Sequence, residues 1–263
     1  HGEMMTNQDF SNVYDDKERA GSYARLEFPG TYYLAYRDLP EIIAEHVRGK
    51  RALDLGCGTG RSTRFIRDLG FDAVGVDIAE PMLALARARD PHGDYRLVPE
   101  GDFRFSSRCA FDLVFSVFTF DNIPTLEKKV LLFESLKHLL KPGGRIVNVV
   151  SSPEIYVNEW ASFSTRDYAE NRNAKSGDKV RIVMLDVEDK RPVEDILWTD
   201  EDYQDVYRRA GLALVGSYRP LARAAEPYAW VNETTIAPWV IYVLECGESS
   251  RSLPRSRSDW SAG

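Results

Sequence analysis

Two aspartates bracket a loop with three alternate glycines. "LDLGCGTGRSTRFI" carries Asp54, Gly56, Cys57, Gly58 and Gly60, and "AVGVD" ends on Asp77. Glycine lacks a Cβ, so it tolerates positive φ and lets a ligand approach the backbone. The helical pattern "RSTRFIRDL" that follows would point its free N–H groups and dipole into the loop. This is binding chemistry rather than bond-making chemistry. Asp77, at the end of an apolar run, is well placed to accept hydrogen bonds from the two hydroxyls of a ribose. The spacing is Gly-x-Gly-x-Gly, with Arg61 where the third glycine of a dinucleotide site would stand. No Gly-Lys-Ser/Thr follows, which excludes a Walker-type phosphate loop.

A second set of chemical groups follows two later apolar runs. "FTFDNIP" offers Phe118, Phe120, Asp121 and Asn122, and "SPEIYVNEW" offers Glu154, Tyr156, Glu159 and Trp160. Of the four histidines, His1 lies at the extreme end, His46 and His138 fall on helical patterns and His92 in a polar turn, so no histidine base is expected. Cys57, Cys109 and Cys246 form no pairing pattern, which suits a reduced, cytoplasmic setting, and no metal site is expected.

These groups need a scaffold that brings strand ends together. Apolar runs alternate with helical ones: "RALDLG" with "RSTRFIRDLG", "DAVGVDI" with "PMLALARARD", and "FDLVFSVFTF" with "LEKKVLLFESLKHLL" before "KPGGRIVNVVS". Continuous apolar strands alternating with helices predict a parallel sheet covered on both faces. Such sheets bind ligands beyond the carboxyl ends of their strands, where strand order reverses. After Ser151 the pattern turns polar and aromatic. "VRIVMLDV" and "RPVEDILWT" predict two strands joined by a polar turn, and "DEDYQDVYRRAG" a helix. "LALVGSYRPL" and "IAPWVIYVLEC" predict an antiparallel pair closing the sheet.

At this point the chain resembles class I S-adenosylmethionine-dependent methyltransferases. "LDLGCGTG", "VGVDIAEPML", "FDLVFSVF" and "LKPGGRIV" match that family's motifs in order and at family-like spacing over residues 50–150. The resemblance implies an α/β fold with a Rossmann-like doubly wound seven-stranded mixed sheet. That sheet is mostly parallel, with an antiparallel C-terminal strand and a cap inserted after strand five. It also implies S-adenosyl-L-methionine as cofactor. Asp54 would orient the loop and the methionyl amino group, and Gly56 and Gly58 would let the cofactor lie close, with Cys57 a small filler between them. Asp77 would grip the ribose, with Ile78 and Met82 along the adenosine. "EGDF" would hold adenine through Gly101, Asp102 and Phe103, unless Asp102 is only a surface turn. Ser116 and Phe118 would border the methionyl arm. Ala79 departs from the family's frequent cap serine. "VYDDKERAGSYARLE" is similar to an N-terminal helix folded over the cofactor, where Tyr14 and Tyr23 either close on the methionyl end or pack the helix on the sheet.

The expected acceptor side combines the end of strand four with the cap. Asp121 is either an acceptor-contacting carboxylate or an N-terminal charge for the helix after Pro124. Glu154 or Tyr156 would bind or deprotonate an acceptor, or simply meet solvent. Phe28, Tyr32 and Tyr33 are pocket wall or hinge packing, and Phe120, Asn122 and Trp160 complete the substrate set. Arg166 either holds an acidic substrate or is solvated. Trp198, Trp230 and Trp239 are assigned to the core. The expected division is 1–4 an appended scar, 5–49 a cofactor-covering segment, 50–151 the cofactor core, 152–199 the cap, 200–247 the end of the sheet and 248–263 a Ser/Arg-rich disordered tail.

Composition narrows the acceptor. The chain has 263 residues, 43% apolar, with a net charge of -7 from 34 basic and 41 acidic side chains. No run approaches the roughly 18 apolar residues of a membrane span. The acidic balance disfavours a nucleic-acid partner, and no "NPPY"-like motif follows strand four. The expected function is methyl transfer to a small, aromatic or amine-containing metabolite by in-line displacement, driven by alignment and desolvation, in a monomer or homodimer. The alternatives are a protein or RNA methyltransferase, or a non-catalytic cofactor-binding subunit that regulates a partner.

Overall fold

A computed structural model of the chain describes residues 28–248. The appended scar, Tyr14, Tyr23 and the body of the tail lie outside the described residues. A 3-10 turn over Gly30–Tyr32 runs into α1 (Tyr33–Tyr36) and α2 (Leu39–His46). Then β1 (Arg51–Leu55), α3 (Arg61–Asp68), β2 (Asp72–Asp77), α4 (Glu80–Arg89), β3 (Asp94–Leu97), β4 (Phe111–Val117), α5 (Leu126–Lys137) and β5 (Leu140–Ser151) alternate as the apolar runs predict. The segment after β5 holds β6 (Phe163–Ser164), β7 (Lys179–Met184) and β8 (Val193–Ile196). The chain closes with α6 (Asp200–Arg209), β9 (Leu212–Tyr218) and β10 (Trp239–Cys246).

Seven strands form one sheet in the order β3-β2-β1-β4-β5-β10-β9. Pairs from β3 across to β5 are parallel, and β10 is antiparallel to both β5 and β9. The expected mixed, doubly wound sheet is the observed one. Strand order reverses between β1 and β4, so the ligand crevice opens beyond Leu55 and Val117. β-Branched and aromatic side chains fill both faces. Phe115, Val147 and Val149 pack with α1–α3 and the cap, while Val114, Ile146 and Val150 pack with α5 and α6. Helix starts are fixed locally: the Thr125 hydroxyl accepts from the Lys128 N–H at α5, and Thr199 and Asp202 form a capping box at α6. Ala79 gives α4 no side-chain cap. No helix among the described residues is long and apolar enough to cross a membrane.

The segment 152–199 folds back over the strand ends as a three-stranded antiparallel sheet, β6-β7-β8. It contributes Trp160, Phe163, Ile182 and Met184 to the same apolar cluster as Phe115, Val149 and Trp239. One fully buried carboxylate, Glu233, stitches it down. Its Oε2 accepts from the Thr31 hydroxyl and the Ala161 N–H, both at 2.8 Å, and its Oε1 from the N–H groups of Val231 (2.8 Å) and Asn232 (3.1 Å). Thr31 and Ser162 exchange two further bonds at 3.0 Å, and Trp239 donates its indole N–H to the Thr31 carbonyl at 2.8 Å. Gly30 sits at φ 63 where a Cβ would lie 2.3 Å from the Ser162 hydroxyl, so only glycine permits this approach.

Removing that carboxylate strands the buried Thr31 hydroxyl and three half-buried backbone N–H donors. Glu233→Ala should lower stability by about 2–4 kcal/mol in urea unfolding, against a few tenths for the exposed Glu188→Ala. Equal losses would show that Glu233 does not hold the cap.

Candidate functional site

The site begins with Asp54, one residue before the end of β1 and fully buried. Its Oδ2 accepts from the hydroxyls of Ser62 (2.6 Å) and Thr63 (2.7 Å) in the first turn of α3, which fixes the strand to the helix start. Its Oδ1 is buried with no hydrogen-bond partner. Burial raises this carboxyl to about 7, the hydroxyls oppose the rise and the Asp77 charge adds to it. Between them, Gly56, Gly58 and Gly60 all adopt positive φ, at 70°, 54° and 87°. A Cβ on Gly56 would lie 2.2 Å from the Thr119 hydroxyl, so this turn is closed to any other residue. Asp77 is half-buried at the end of β2. Its Oδ2 accepts from the Gly58 N–H (2.8 Å) and its Oδ1 from the Ala79 N–H (2.9 Å). Beside it, Ile78 is 66% exposed and Leu97, its neighbour across β3, 51%. A polar grip flanked by open apolar surface suits a ribose and an adenine, and the lone Asp54 oxygen suits an amino group. The residues present therefore fit the cofactor that the resemblance implies.

A cavity adjoins this crevice, with about 70 Å³ open to the centres of water molecules. Gly56, Ser62 and Arg61 line it on the loop side, and Asp121, Asn122 and Ser151 at the ends of β4 and β5. The cap supplies Tyr156, Phe163, Ile182, Met184, Val193 and Asp195, and β10 supplies Trp239. Phe118 stands in the left-handed region at φ 65 and turns its ring to Trp239 (4.6 Å) and Tyr32 (5.9 Å); Phe163 lies 5.0 Å from Tyr32. Asp121 is buried, its Oδ2 accepting from the Ser151 N–H (2.9 Å) and its Oδ1 from the Tyr203 hydroxyl (3.1 Å). Burial and the neighbouring Asp195 push its carboxyl up, while the Ser151 N–H and buried Lys129 pull it back. The Tyr156 hydroxyl donates to Asp195 Oδ2 at 3.0 Å. Asp195 keeps surface open to the cavity it lines, yet protein surrounds it and burial raises it to about 6.

Of the residues singled out from sequence, the structure brings Tyr32, Gly56, Phe118, Asp121, Asn122 and Tyr156 to one cavity. Several others lie elsewhere. Phe120 stacks on Phe133 at 4.0 Å on the opposite face of the sheet. Ser116 aligns with Asn148 on that same face, where Asn148 bonds Tyr207 of α6. Trp160 is cap core, its indole bound to the Ile155 carbonyl at 2.8 Å, and Tyr33 faces Tyr228. Glu154 and Arg166 are exposed outside the cavity. Cys57 packs on Leu83, Ala86 and Tyr95 behind the loop, and burial pushes its thiol up. Met82 and Phe103 are buried. Exposed Gly101 precedes Asp102, which is held by Arg104 (2.6–3.1 Å), its carboxyl lowered to about 2 by that pairing. Asp121 turns its carboxylate to Ser151 and Tyr203, and Thr125 supplies the side-chain cap of α5. Trp239, assigned to the core, is buried but lines the cavity. Sequence reasoning missed Asp195. Its signal is strand alternation: Asp195 shares one side of β8 with Val193 and Leu197, an acid on an apolar stripe.

Several known proteins resemble this chain in sequence or fold. Residues 53–148 match a family model described as a methyltransferase domain. The chain is 30% identical over 141 residues to a ubiquinone biosynthesis O-methyltransferase of Bordetella avium, covering 51% of this chain and 48% of that one. It is 38% identical over 139 residues to a cypemycin N-terminal methyltransferase of a Streptomyces species, covering 51% and 54%. The aligned part thus spans about half the length of these curated relatives. An S-adenosylmethionine-dependent methyltransferase structure from Clostridium acetobutylicum shares the fold, with a TM-score of 0.60 at 16% identity over 93% of this chain and 100% of that one.

The raised carboxyl of Asp54 has a signed consequence. Between about pH 4 and 7 the folded state holds a proton there that the unfolded state has lost, so its contribution to stability falls as pH rises. Without ligand, Asp54→Asn should gain on the wild type across that window by up to about 1.4 kcal/mol per pH unit, and no further above it. A difference that stays constant from pH 4 to 7.5 in urea unfolding would rule this out.

Proposed function

We propose that this chain, whose residues 53–148 match a methyltransferase domain, transfers the methyl group of S-adenosylmethionine to a small-molecule acceptor held under the cap. The observation that carries the reading is continuity. Gly56 belongs to the glycine loop and also lines the cavity with Phe118, Asp121 and Tyr156. A cofactor seated on that loop would lie against the cavity. Asp77 would hold the ribose, Ile78 and Met82 would border the adenosine, and Asp54 Oδ1 would accept from the amino group. When bound, the cofactor supplies a sulfonium methyl group open to in-line attack.

The chain's own residues have two tasks. Phe118, Phe163 and Trp239 exclude water beside the loop, and the strand ends fix where an acceptor sits. Orientation of this kind can supply roughly 7–11 kcal/mol. Asp121, anchored by Ser151 and Tyr203, binds or polarises the acceptor. A proton acceptor is required only when the acceptor must lose a proton. The relatives' names include an O-methyltransferase and an N-terminal methyltransferase, so they leave the acceptor atom open. A narrow cavity under the cap favours a small molecule over an extended peptide or RNA.

Two measurements test the cofactor assignment. S-adenosylmethionine and its demethylated product should each raise the melting temperature, a ligand at a hundred times Kd adding roughly 2.7 kcal/mol. NAD should not. Stabilisation by NAD alone would sink the reading. Asp77→Ala should weaken cofactor binding about tenfold or more in titration calorimetry while the protein remains folded, because the lost carboxylate makes charged hydrogen bonds. Unchanged affinity in a folded variant would remove Asp77 from the ribose.

A further inference from the structure

We infer that the acceptor is a protonatable amine, taken up between the Asp121 and Asp195 carboxylates and the rings of Tyr32, Phe118, Phe163 and Trp239, and methylated on nitrogen. The inference rests on the methyltransferase reading and specifies its acceptor.

Two carboxylates reach one cavity from separate elements, Asp121 from the turn after β4 and Asp195 from β8 of the cap. Removing two acids from water is costly unless a cation meets them. Both keep capacity to receive one. A carboxylate has about four acceptor positions. Asp121 spends part of this capacity on Ser151 and Tyr203, and the Tyr156 hydroxyl donates to only one oxygen of Asp195. The charged groups around them are placed to the side or behind. Arg61 lines the α3 end of the cavity, over the Phe28 ring at 5.2 Å. Lys129 sits behind Asp121 on α5, bonded to the Phe120 carbonyl and 4.9 Å from the Trp198 ring. The remaining walls combine the aromatic faces of Tyr32, Phe118, Phe163 and Trp239, which attract a cation, with the apolar side chains of Ile182 and Met184, which tolerate the growing methyl count of an amine. An alcohol would bring the acids no counter-charge beyond Lys129 and Arg61, and an acidic acceptor would be repelled by them.

The same pair has a use for the surplus proton. An amine arriving as ammonium passes one proton to the Asp121–Asp195 pair, which frees its lone pair. That lone pair forms the N–C bond as the S–C bond breaks, and the bonding electrons stay on sulfur. The sulfonium becomes a thioether and the product nitrogen carries the positive charge. The carboxyl proton returns to water once the product leaves. Burial holds both carboxyls above the ordinary range, which makes them better proton acceptors than exposed aspartates.

The test uses the full chain saturated with S-adenosylhomocysteine, which prevents turnover. Benzylamine and cyclohexylamine are titrated against benzyl alcohol, cyclohexanol and benzoate. The amines should bind at least about tenfold more tightly than their alcohol counterparts, with benzoate weakest. Asp195→Asn should bring the amine-to-alcohol ratio towards one without changing affinity for S-adenosylhomocysteine. Asp121→Asn provides a second variant with the same expected loss of preference. An amine-to-alcohol ratio near one in the wild type overturns the inference, as does the absence of amine binding or a preference that survives both substitutions. Failure to bind S-adenosylhomocysteine would instead overturn the methyltransferase reading beneath it.

Discussion

A carboxylate taken out of water must be met by donors, met by a cation, or kept protonated. That constraint organises the working end of this molecule. Asp54 ties β1 to the start of α3. Asp121 ties the turn after β4 to the last residue of β5 and to α6. Glu233 ties the first described turn, the cap and the loop before β10. Each join places a crevice wall, so the positions of loop, strand ends and cap follow from where these acids find their partners.

The acids differ in how fully they are met. Glu233 has four donors on two oxygens and does not line the cavity beside the glycine loop, which is the signature of a structural group. Asp54 leaves one buried oxygen with no partner, and Asp195 keeps surface open to the cavity it lines. Those are states a ligand can improve. The raised carboxyls of Asp54, Asp121 and Asp195 are the electrostatic mark of the same shortfall.

The cofactor side was legible because its chemistry is local. Gly56, Gly58 and Gly60 need positive φ, and Asp77 is set by the end of its own strand. The acceptor side was legible only in part, because one backbone reversal decides it. Continued alternation past β4 would send Ser116, Phe118 and Phe120 the same way. At φ 65 the chain turns instead, so Phe118 meets Trp239 while Phe120 stacks beneath α5. No propensity argument predicts a phenylalanine in that conformation. Asp195 reaches the cavity through the hairpin register of a cap strand whose packing on the core is tertiary, and Trp239 through the last strand, paired with the distant end of β5. Arg166 and Glu154 had suitable chemistry but lie outside the cavity.

The Glu233 stitch also orders events on the ribosome. Thr31 is 202 positions from Glu233, and its carbonyl waits 208 positions for the Trp239 indole. At about 5–20 residues per second, that separation takes roughly 10–40 s to synthesise. Strands β1 to β5 and their helices can pair well before then, since each parallel neighbour is local by comparison. The cap cannot be fastened. Until Trp239 is made, Tyr32, Phe118 and Phe163 lack the indole that packs against them, so the nascent chain carries this aromatic wall of its cavity uncovered.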